Sequence, residues 1–568
     1  MLKEELSLLF EEIAVLLELN ADNPFKIRAY YSAAHAIANL DADLQKVIDE
    51  NKLTEIEGIG DAISAKIIEF SKNGSIDFYN KLKEETPPGL LEMRRIPKLG
   101  SKKIHALYKS LGIKSIAELE NACLQNHLKD LAGFGIKSQE NILKGIALVK
   151  ANQGKHLYPE AFNIAQKLLE NLRPFAAQIA IAGSLRRFKE LVKDIDIVAT
   201  SKDKHALIDA FVHSSFAKEV VQKGDNKASI ITVVGINADL LIVEEDEYPY
   251  ALHHFTGSKE HNVAMRSLAK TMGLKINEYG VFKDDQRIPA SNEEDFLKIF
   301  GLSYIAPELR EDTGEITAAL NGTLPDLITA ENIQGVFHTH TTYSDGLANL
   351  REMRDAARAM GFKYLGISDH SQTAAYAGGL KSDALIRQGE EIDLLNEEDE
   401  GFTLLKGIES DILPDGSLDY PDDVLEKFDF VIGSVHSKFN MTEKEMTGRI
   451  VRALQNKYLT ILGHPTGRLL LARDGYPLDL EEVLQAAAKN RKCIEINSSS
   501  HRLDLDWHWC RRAKELGIKI AINPDAHTVA ELYSYLFGIK VARKAWLTKN
   551  EVLNAMPVQE LLRYFNER

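Results

Sequence analysis

Two groups of side chains in this 568-residue chain have the types and spacing for metal-dependent chemistry. In GVFHTHTTYSDG, residues 335–346, His338 and His340 follow a short apolar run and Asp345 comes five residues later. In IAIAGSLRRFKELVKDIDIV, residues 179–198, Asp194 and Asp196 alternate with Ile195 and Ile197. A period of two puts both carboxylates on one face of a strand. Like charges held that close are costly unless a cation lies between them, which points to a divalent ion. Asp239, inside the strand-like INADLLIV, offers a third carboxylate. Gly183 and Ser184 offer backbone N–H and hydroxyl groups to a phosphate, and Arg187 offers a planar guanidinium fork. A bare D-x-D on an edge strand is common, but G-S-x-R-R before it and an aspartate after it favour a metal and phosphate site.

The histidine pair opens a series. GVFHTH ends in His338 and His340, YLGISDH in Asp369 and His370, LLKGIES in Glu409, and FDFVIGSVH in His436. YLTILGHP follows with His464, KCIEINSS with Asn497, and IKIAINPDAH with Asp525 and His527. Strand-like runs that alternate with helical stretches and collect chelators at their C-termini describe a barrel with its active site at that face. Imidazole and carboxylate without thiolate suit Zn²⁺, Mn²⁺ or Fe²⁺. One histidine at a strand end is usually an ordinary polar residue; a whole series of them calls for metals.

The length requires more than one core, and three or more domains are expected at about 100–200 residues each. With 44% hydrophobic and 27% charged residues, and no apolar run near the ~18–20 residues that span a bilayer, a soluble globular protein with no membrane partner is expected. The N-terminal MLKEELSLLFEEIAVLLELN carries acids on a helical apolar period, unlike a secretory signal. Three cysteines, Cys123, Cys493 and Cys510, are too few and scattered for a disulfide framework or a thiolate zinc site. A cytoplasmic protein is expected.

A net charge of −15 argues at first against a nucleic-acid partner, but residues 91–150 hold eleven Lys/Arg against five Asp/Glu. Within them RRIPKLGSKKIHALYK carries no acid. Such a stripe is a solvated helix face or a phosphate-binding surface. A recurrence decides for the second: IEGIGDAISAKII at 56–68, RRIPKLGSKKIHAL at 94–107 and LAGFGIKSQENIL at 131–143 each give an apolar position, a tight turn and an amphipathic helix. The turns, Gly58-x-Gly60, Lys98-x-Gly100 and Gly133-x-Gly135, lead into helix starts whose N–H groups bind a phosphate without reading a base. They resemble helix-hairpin-helix motifs, with Lys66, Lys98, Lys102 and Lys103 as accompanying DNA-binding cations. Lys98 stands where the first glycine usually sits, which leaves the geometry of the second hairpin open.

GSLRR, DIDIV, Asp239 and then HHFTGSKEHNVAMRSLAKTMGLKINEYGVF at 253–282 together resemble the catalytic core of a family X DNA polymerase over roughly residues 1–310. The resemblance implies that Asp194, Asp196 and Asp239 hold two Mg²⁺ for in-line displacement, with Asp239 nearest the primer hydroxyl. It implies that Gly183, Ser184 and Arg187 meet the triphosphate, that Phe255, Thr256, Gly257 and Asn262 line the sugar and base, and that Arg266 touches the template. His254 stands where the family often has tyrosine, which puts discrimination against ribonucleotides in question. Lys66 falls on the lysine that forms a Schiff base with deoxyribose phosphate in lyase-competent relatives, chemistry that needs a lowered lysine pKa.

Residues 333–568, with H-x-H, S-D-H, G-I-E, S-V-H, G-H-P and D-A-H, resemble the polymerase and histidinol phosphatase (PHP) domain. That family implies a distorted seven-stranded barrel with a trinuclear site: His338, His340, Glu409 and Asp525 on the first metal, Glu409, His436 and His464 on the second, and Asp345, His370 and His527 on the third. Such a cluster would polarise a phosphodiester and activate water. The expected fold is therefore multidomain: an all-α helix-hairpin-helix region at 1–85 and 86–150, an α+β nucleotidyltransferase palm at 151–245, a nucleotide-selection part at 246–310, a linker at 311–332 and a (β/α)7 barrel at 333–568. The expected function is gap-filling synthesis on gapped or primer-template DNA from dNTPs, by a monomer, with 3′-end trimming by the barrel. Two alternatives stay open: a barrel that is a small-molecule phosphatase, and a silent DNA-end-binding scaffold.

Overall fold

The computed structural model describes residues 2–38, 40, 43–129 and 131–567. The chain divides into two compact units, Met1–Gln153 and Gly154–Arg568.

The first unit is helical, because its apolar residues recur at three- and four-residue spacing. Leu6, Phe10, Ile13 and Leu17 form one such stripe, which packs with Tyr30, Ile37, Ile63 and Ile67 in one core. A second core gathers Leu90, Met93, Ile96, Ile104, Leu107, Phe134 and Ile146. The three hairpins share one backbone form, with φ of 91° at Gly58, 64° at Lys98 and 86° at Gly133. Helices Asp61–Asn73, Ser101–Leu111 and Ile136–Ala151 then start behind extended Gly60, Gly100 and Gly135. The lysine thus does not alter the second hairpin. It adopts the left-handed conformation at a cost of roughly 1–2 kcal/mol, held between buried Ile96 and Leu99.

The second unit begins with a five-stranded sheet in the order Gln178–Ile181, Asp194–Thr200, Asn237–Ile242, Lys227–Thr232, Ala217–Lys223. Its middle pair is parallel and sets Asp196 directly opposite Asp239. Helices Tyr248–Thr256 and Lys259–Thr271 and a small antiparallel sheet, Lys275–Asn277, Gly280–Lys283 and Gln286–Ile288, follow around Tyr250, Met265, Phe296 and Phe300.

A further sheet is parallel, with seven strands in chain order: Gly335–Val336, Tyr364–Ile367, Thr403–Asp411, Phe430–Ser434, Ile461–Leu462, Cys493–Asn497 and Ile520–Asn523. A bridge between Thr339 and Ala526 joins its first and last members. Phe337, Tyr364, Phe430 and Ile461 pack with Leu561 and Phe565 of the C-terminal helix Val558–Asn566. This is the (β/α)7 barrel that the strand-end pattern implies.

Segment 311–332, expected as a linker, is instead packed structure. It forms helix Glu315–Asn321, and its fully buried Glu315 lies 2.6 Å from His261 Nδ1. The partner lies 54 residues earlier, which is why composition alone reads the segment as loose. Among the described residues no helix is long and apolar enough to cross a membrane.

Candidate active sites

Strand pairing completes the first carboxylate group. Asp196 and Asp239 face each other across a parallel ladder, and Asp194 lies two residues along the same face. Burial, then the Asp194 and Asp239 charges, push Asp196 up to about 7. Asp194 is raised too, by burial and by Asp239. Asp239 accepts a 2.5 Å hydrogen bond from Ser229 Oγ and lies 3.5 Å from Lys227 Nζ. Asp194 and Asp196, held against full ionisation beside a third carboxylate, make a donor set that a divalent cation would relieve. Gly183 is fixed by the same geometry: its φ is +62°, and an added Cβ would sit 1.9 Å from Asp196 Oδ2.

The shift on Asp196 has a stability consequence. A carboxyl whose folded pKa lies above its ordinary value near 4 adds stability at low pH, and this is lost as pH rises through the window up to about 7. Asp196→Asn is therefore expected to raise the melting temperature by a few degrees in chelator at pH 8, and not at pH 5. Equal gains at both pH values would show that the wild-type carboxyl is not strained.

The expected nucleotide-facing residues gather beside the triad. Half-buried Ser184 lies in the turn Gly183–Arg186. Arg187 is only 9% exposed; its Nη1 donates to the Thr256 carbonyl at 2.7 Å and its Nε to Glu311 at 3.2 Å. Arg186, the first arginine of the G-S-x-R-R motif and given no role of its own there, donates to Thr256 Oγ1 at 2.7 Å and to Glu293 at 2.6 and 3.1 Å. Asn262 Nδ2 donates to the His254 carbonyl at 2.7 Å, so the Phe255-Thr256-Gly257 turn is fastened from both sides. Gly257 permits this closeness, since a Cβ there would lie 2.5 Å from Asn262 Oδ1. His254 is held below the ordinary histidine range by burial. Arg266 is exposed.

At the barrel, all nine expected ligands converge at the strand C-termini. Ligand atoms within 4.8 Å of one another group His338, His340 and Asp525; His370, Glu409 and His436; and His340, Asp345, His370 and His527. Glu409 is the hub, 3.3 Å from both His338 and His436, 3.0 Å from His464 and 2.8 Å from His370. His370 falls in both the second and third of these groups, and His340 in both the first and third. Burial opposes ionisation of Glu409, but His436, His338 and His370 hold it well below the usual carboxylate range.

These residues fit a metal cluster. His338 Nε2, both ring nitrogens of His340, His370 Nδ1, Glu409 Oε2 and His464 Nδ1 are buried without a hydrogen-bond partner among the described residues. Orphaned buried polar atoms are expensive, and here they point at one another's neighbourhood. Partners behind the ligands fix the ring tautomers. His338 Nδ1 lies 2.7 Å from Glu495 Oε1 and His436 Nδ1 2.5 Å from Asp411 Oδ1. A carboxylate oxygen facing Nδ1 accepts its hydrogen bond, which would leave Nε2 as the nitrogen available to an ion.

Nothing in the sequence marks Glu495 or Asp411 beyond a polar residue in a buried strand. Two residues counted among the chelators act differently. Asp369 is saturated by Thr341, Ser344 and Gln388, and Asn497 donates to Asp525 Oδ2 at 3.0 Å, orienting that ligand. Arg502, unmarked by any motif, brings its Nε to 3.6 Å from Asp525.

In the helical unit, Gly58, Gly60, Gly100, Gly133 and Gly135 are exposed, as are Lys98, Lys102 and Lys103. Arg28, Tyr31 and His105 line a cleft with those lysines. Lys66 is half-buried with its Nζ 4.6 Å from the Phe78 ring, and Lys26 Nζ lies equally close to the same ring. Neutralising Lys102 and Lys103 is expected to weaken binding to gapped DNA of any sequence. The log–log salt slope should flatten by about one unit for each phosphate no longer neutralised, because counterion release sets it. An unchanged slope would place the DNA away from the second hairpin.

Comparison with known proteins covers every part. Residues 1–76 match a helix-hairpin-helix domain, 90–147 a SAM-like helix-hairpin-helix tandem, 251–311 the DNA polymerase beta thumb and 337–499 the PHP domain. The DNA polymerase/3′-5′ exonuclease PolX of Bacillus subtilis (strain 168) is 39% identical over 567 residues, covering 98% of each chain. A probable phosphatase of Thermoanaerobacter sp. (strain X514) is 33% identical over 252 residues, 41% of this chain and 94% of its own. One of Shewanella halifaxensis (strain HAW-EB4) is 27% identical over 241 residues, 92% of its length. An in-register aspartate triad, tandem helix-hairpin-helix units and a ligand-complete barrel, matched end to end by one relative, make this chain a member of the family X DNA polymerases that carry a C-terminal PHP domain.

Proposed function

We propose that this chain fills short gaps in DNA during repair and trims 3′ ends with a 3′-5′ exonuclease housed in the barrel. The observation that carries the reading is that one folded unit holds both an in-register aspartate triad beside a Gly-Ser-x-Arg-Arg turn and a converged set of nine metal ligands. The name of the Bacillus relative, which covers both parts, supports it. The working partners in this reading are gapped or primer-template DNA and dNTPs, met by a monomer in the cytoplasm.

In the polymerase site Asp194, Asp196 and Asp239 hold Mg²⁺, with Asp239 nearest the primer 3′-hydroxyl. Mg²⁺ supplies charge neutralisation for in-line displacement of pyrophosphate. Gly183 and Ser184 present N–H and hydroxyl donors to the triphosphate, joined by Arg187. The turn Phe255-Thr256-Gly257, fastened by Asn262 and Arg186, holds the sugar and base, and Arg266 meets the template. His254 in place of tyrosine presents a smaller ring at the sugar, so selection against ribonucleotides rests more on the backbone of that turn. In the helical unit, Lys66 with Lys26 beside it is the candidate for deoxyribose-phosphate chemistry.

In the barrel, His338, His340, Asp345, His370, Glu409, His436, His464, Asp525 and His527 hold Zn²⁺, Mn²⁺ or Fe²⁺, whose Lewis acidity acts on a phosphodiester. Glu495 and Asp411 keep the His338 and His436 protons on Nδ1. Buried Glu409 stays ionised at the centre.

The probable phosphatases that align over the barrel favour a second reading, hydrolysis of phosphate monoesters. Primer extension and 3′-end degradation on gapped DNA, each with Mg²⁺ or Mn²⁺ and beside p-nitrophenyl phosphate hydrolysis, separate the readings. Extension and degradation support the first. Monoester hydrolysis without degradation moves the barrel to the second, and inactivity in every assay leaves a scaffold.

A further inference from the structure

Helix Tyr535–Lys544, which precedes the C-terminal helix Val558–Asn566, carries three cations towards the polymerase part of the same unit. Lys540 and Arg543 both reach Glu308 at 3.0 Å. Lys544, 2% exposed, reaches further: its Nζ donates to Glu311 Oε1 at 2.5 Å and to the Arg187 carbonyl at 3.1 Å. A second tie joins the same turn to the barrel, where Arg468 pairs with Glu190 at 2.7 Å.

Glu311 is therefore a shared anion. Its Oε1 accepts from both Lys544 and Arg187 Nε, and its Oε2 lies 3.1 Å from Lys189. Arg187 is the guanidinium that the polymerase reading sends to the triphosphate, so Glu311 competes with the incoming nucleotide for it. Each cation that shares the Glu311 charge weakens that competition. Lys544 shares the same oxygen that Arg187 uses, and it anchors the backbone of the turn as well.

We propose that Lys544, a residue of the barrel, is a positioning residue for nucleotide binding in the polymerase site: by holding Glu311 and the Arg187 carbonyl, it sets how readily Arg187 is released to the triphosphate. This rests on the polymerase reading above. The barrel then takes part in nucleotide affinity without contributing any group that touches the nucleotide.

The test is single-nucleotide addition to gapped DNA by the intact chain, with KM for dNTP and kcat measured separately. Lys544→Met is expected to raise KM by about 10-fold, the scale of one charge-assisted hydrogen bond, with kcat changed less than about 3-fold. Lys544→Arg should restore most of the affinity. Adding Glu311→Gln to Lys544→Met should bring KM back to within about 3-fold of wild type, which mere loosening of a buried contact would not do. Degradation of a single-stranded 3′ end should be unaffected. A wild-type KM in Lys544→Met, or a raised KM that Glu311→Gln leaves in place, overturns the proposal. Should Lys544→Met not fold, Glu311→Gln alone decides: a KM equal to or below wild type supports the proposal, and a rise of about 10-fold overturns it. A wild-type chain that adds no nucleotide at all would instead sink the polymerase reading.

Discussion

Replacing Asp239 with alanine is expected to lower nucleotide addition by about three orders of magnitude or more, the scale of losing several kcal/mol of transition-state stabilisation, while degradation of a single-stranded 3′ end persists. Asp239 faces Asp196 across the ladder and would be the carboxylate nearest the attacking hydroxyl. Its side chain is about one-third exposed, so truncation leaves no large buried cavity and the fold should hold. The charge removed is also one of those that push Asp196 up, so the remaining pair should ionise more readily. The loss thus reports missing metal coordination rather than a protonated neighbour. Primer extension and degradation measured on one preparation check this. If both activities vanished from a folded protein, the assignment of the two chemistries to separate sites would be wrong.

The His338→Ala/His340→Ala variant should show the opposite pattern. Both imidazoles are fully buried; the loss of His338 takes a neutralising partner from Glu409, Asp525 and Glu495, and the loss of His340 takes a polar partner from Asp525. Because Glu409 reaches five imidazoles of the cluster, the damage should spread beyond one ion. Exonuclease turnover is expected to fall by about three orders of magnitude or more, with nucleotide addition retained. Metal analysis should find at least one fewer Zn, Mn or Fe per chain, and Mg²⁺ alone should not restore degradation. A variant that kept its full metal content and degraded DNA normally would remove the basis for the nuclease assignment.

What the sequence reveals here is chemistry with a short period. Asp194-x-Asp196 shows its shared face at once, and the chelators announce themselves because each closes an apolar run. Partners chosen across long loops are not legible in this way. The Asp196–Asp239 register depends on a strand pairing made after two further strands, and the Glu495–His338 contact spans 157 residues. Glu495 and Asp411 look like ordinary polar residues until barrel curvature turns them onto an imidazole. Segment 311–332 fails for the same reason: its Glu311 and Glu315 side chains are buried only because Arg187, Lys544 and His261 come to meet them. Lys98 is a different case, since the left-handed turn is imposed by the packed residues around it and not by its own preference.

The seam of the barrel gives its metal ligands a second consequence. Where its first and last strands meet there is one bridge, Thr339 to Ala526, with His340 N–H donating to Ala526 O and Ala526 N–H to His338 O. On either side of that join stand His338 and His340 from one stave and Asp525 and His527 from the other. An ion held across them would fasten the barrel where it closes, and ligand binding of this kind would add directly to folding free energy. Starved of metal, such a barrel would lose that fastening along with its reagent. Scarcity of the ion would then be felt as a mechanical fault, a hoop sprung at one seam, as well as a chemical one.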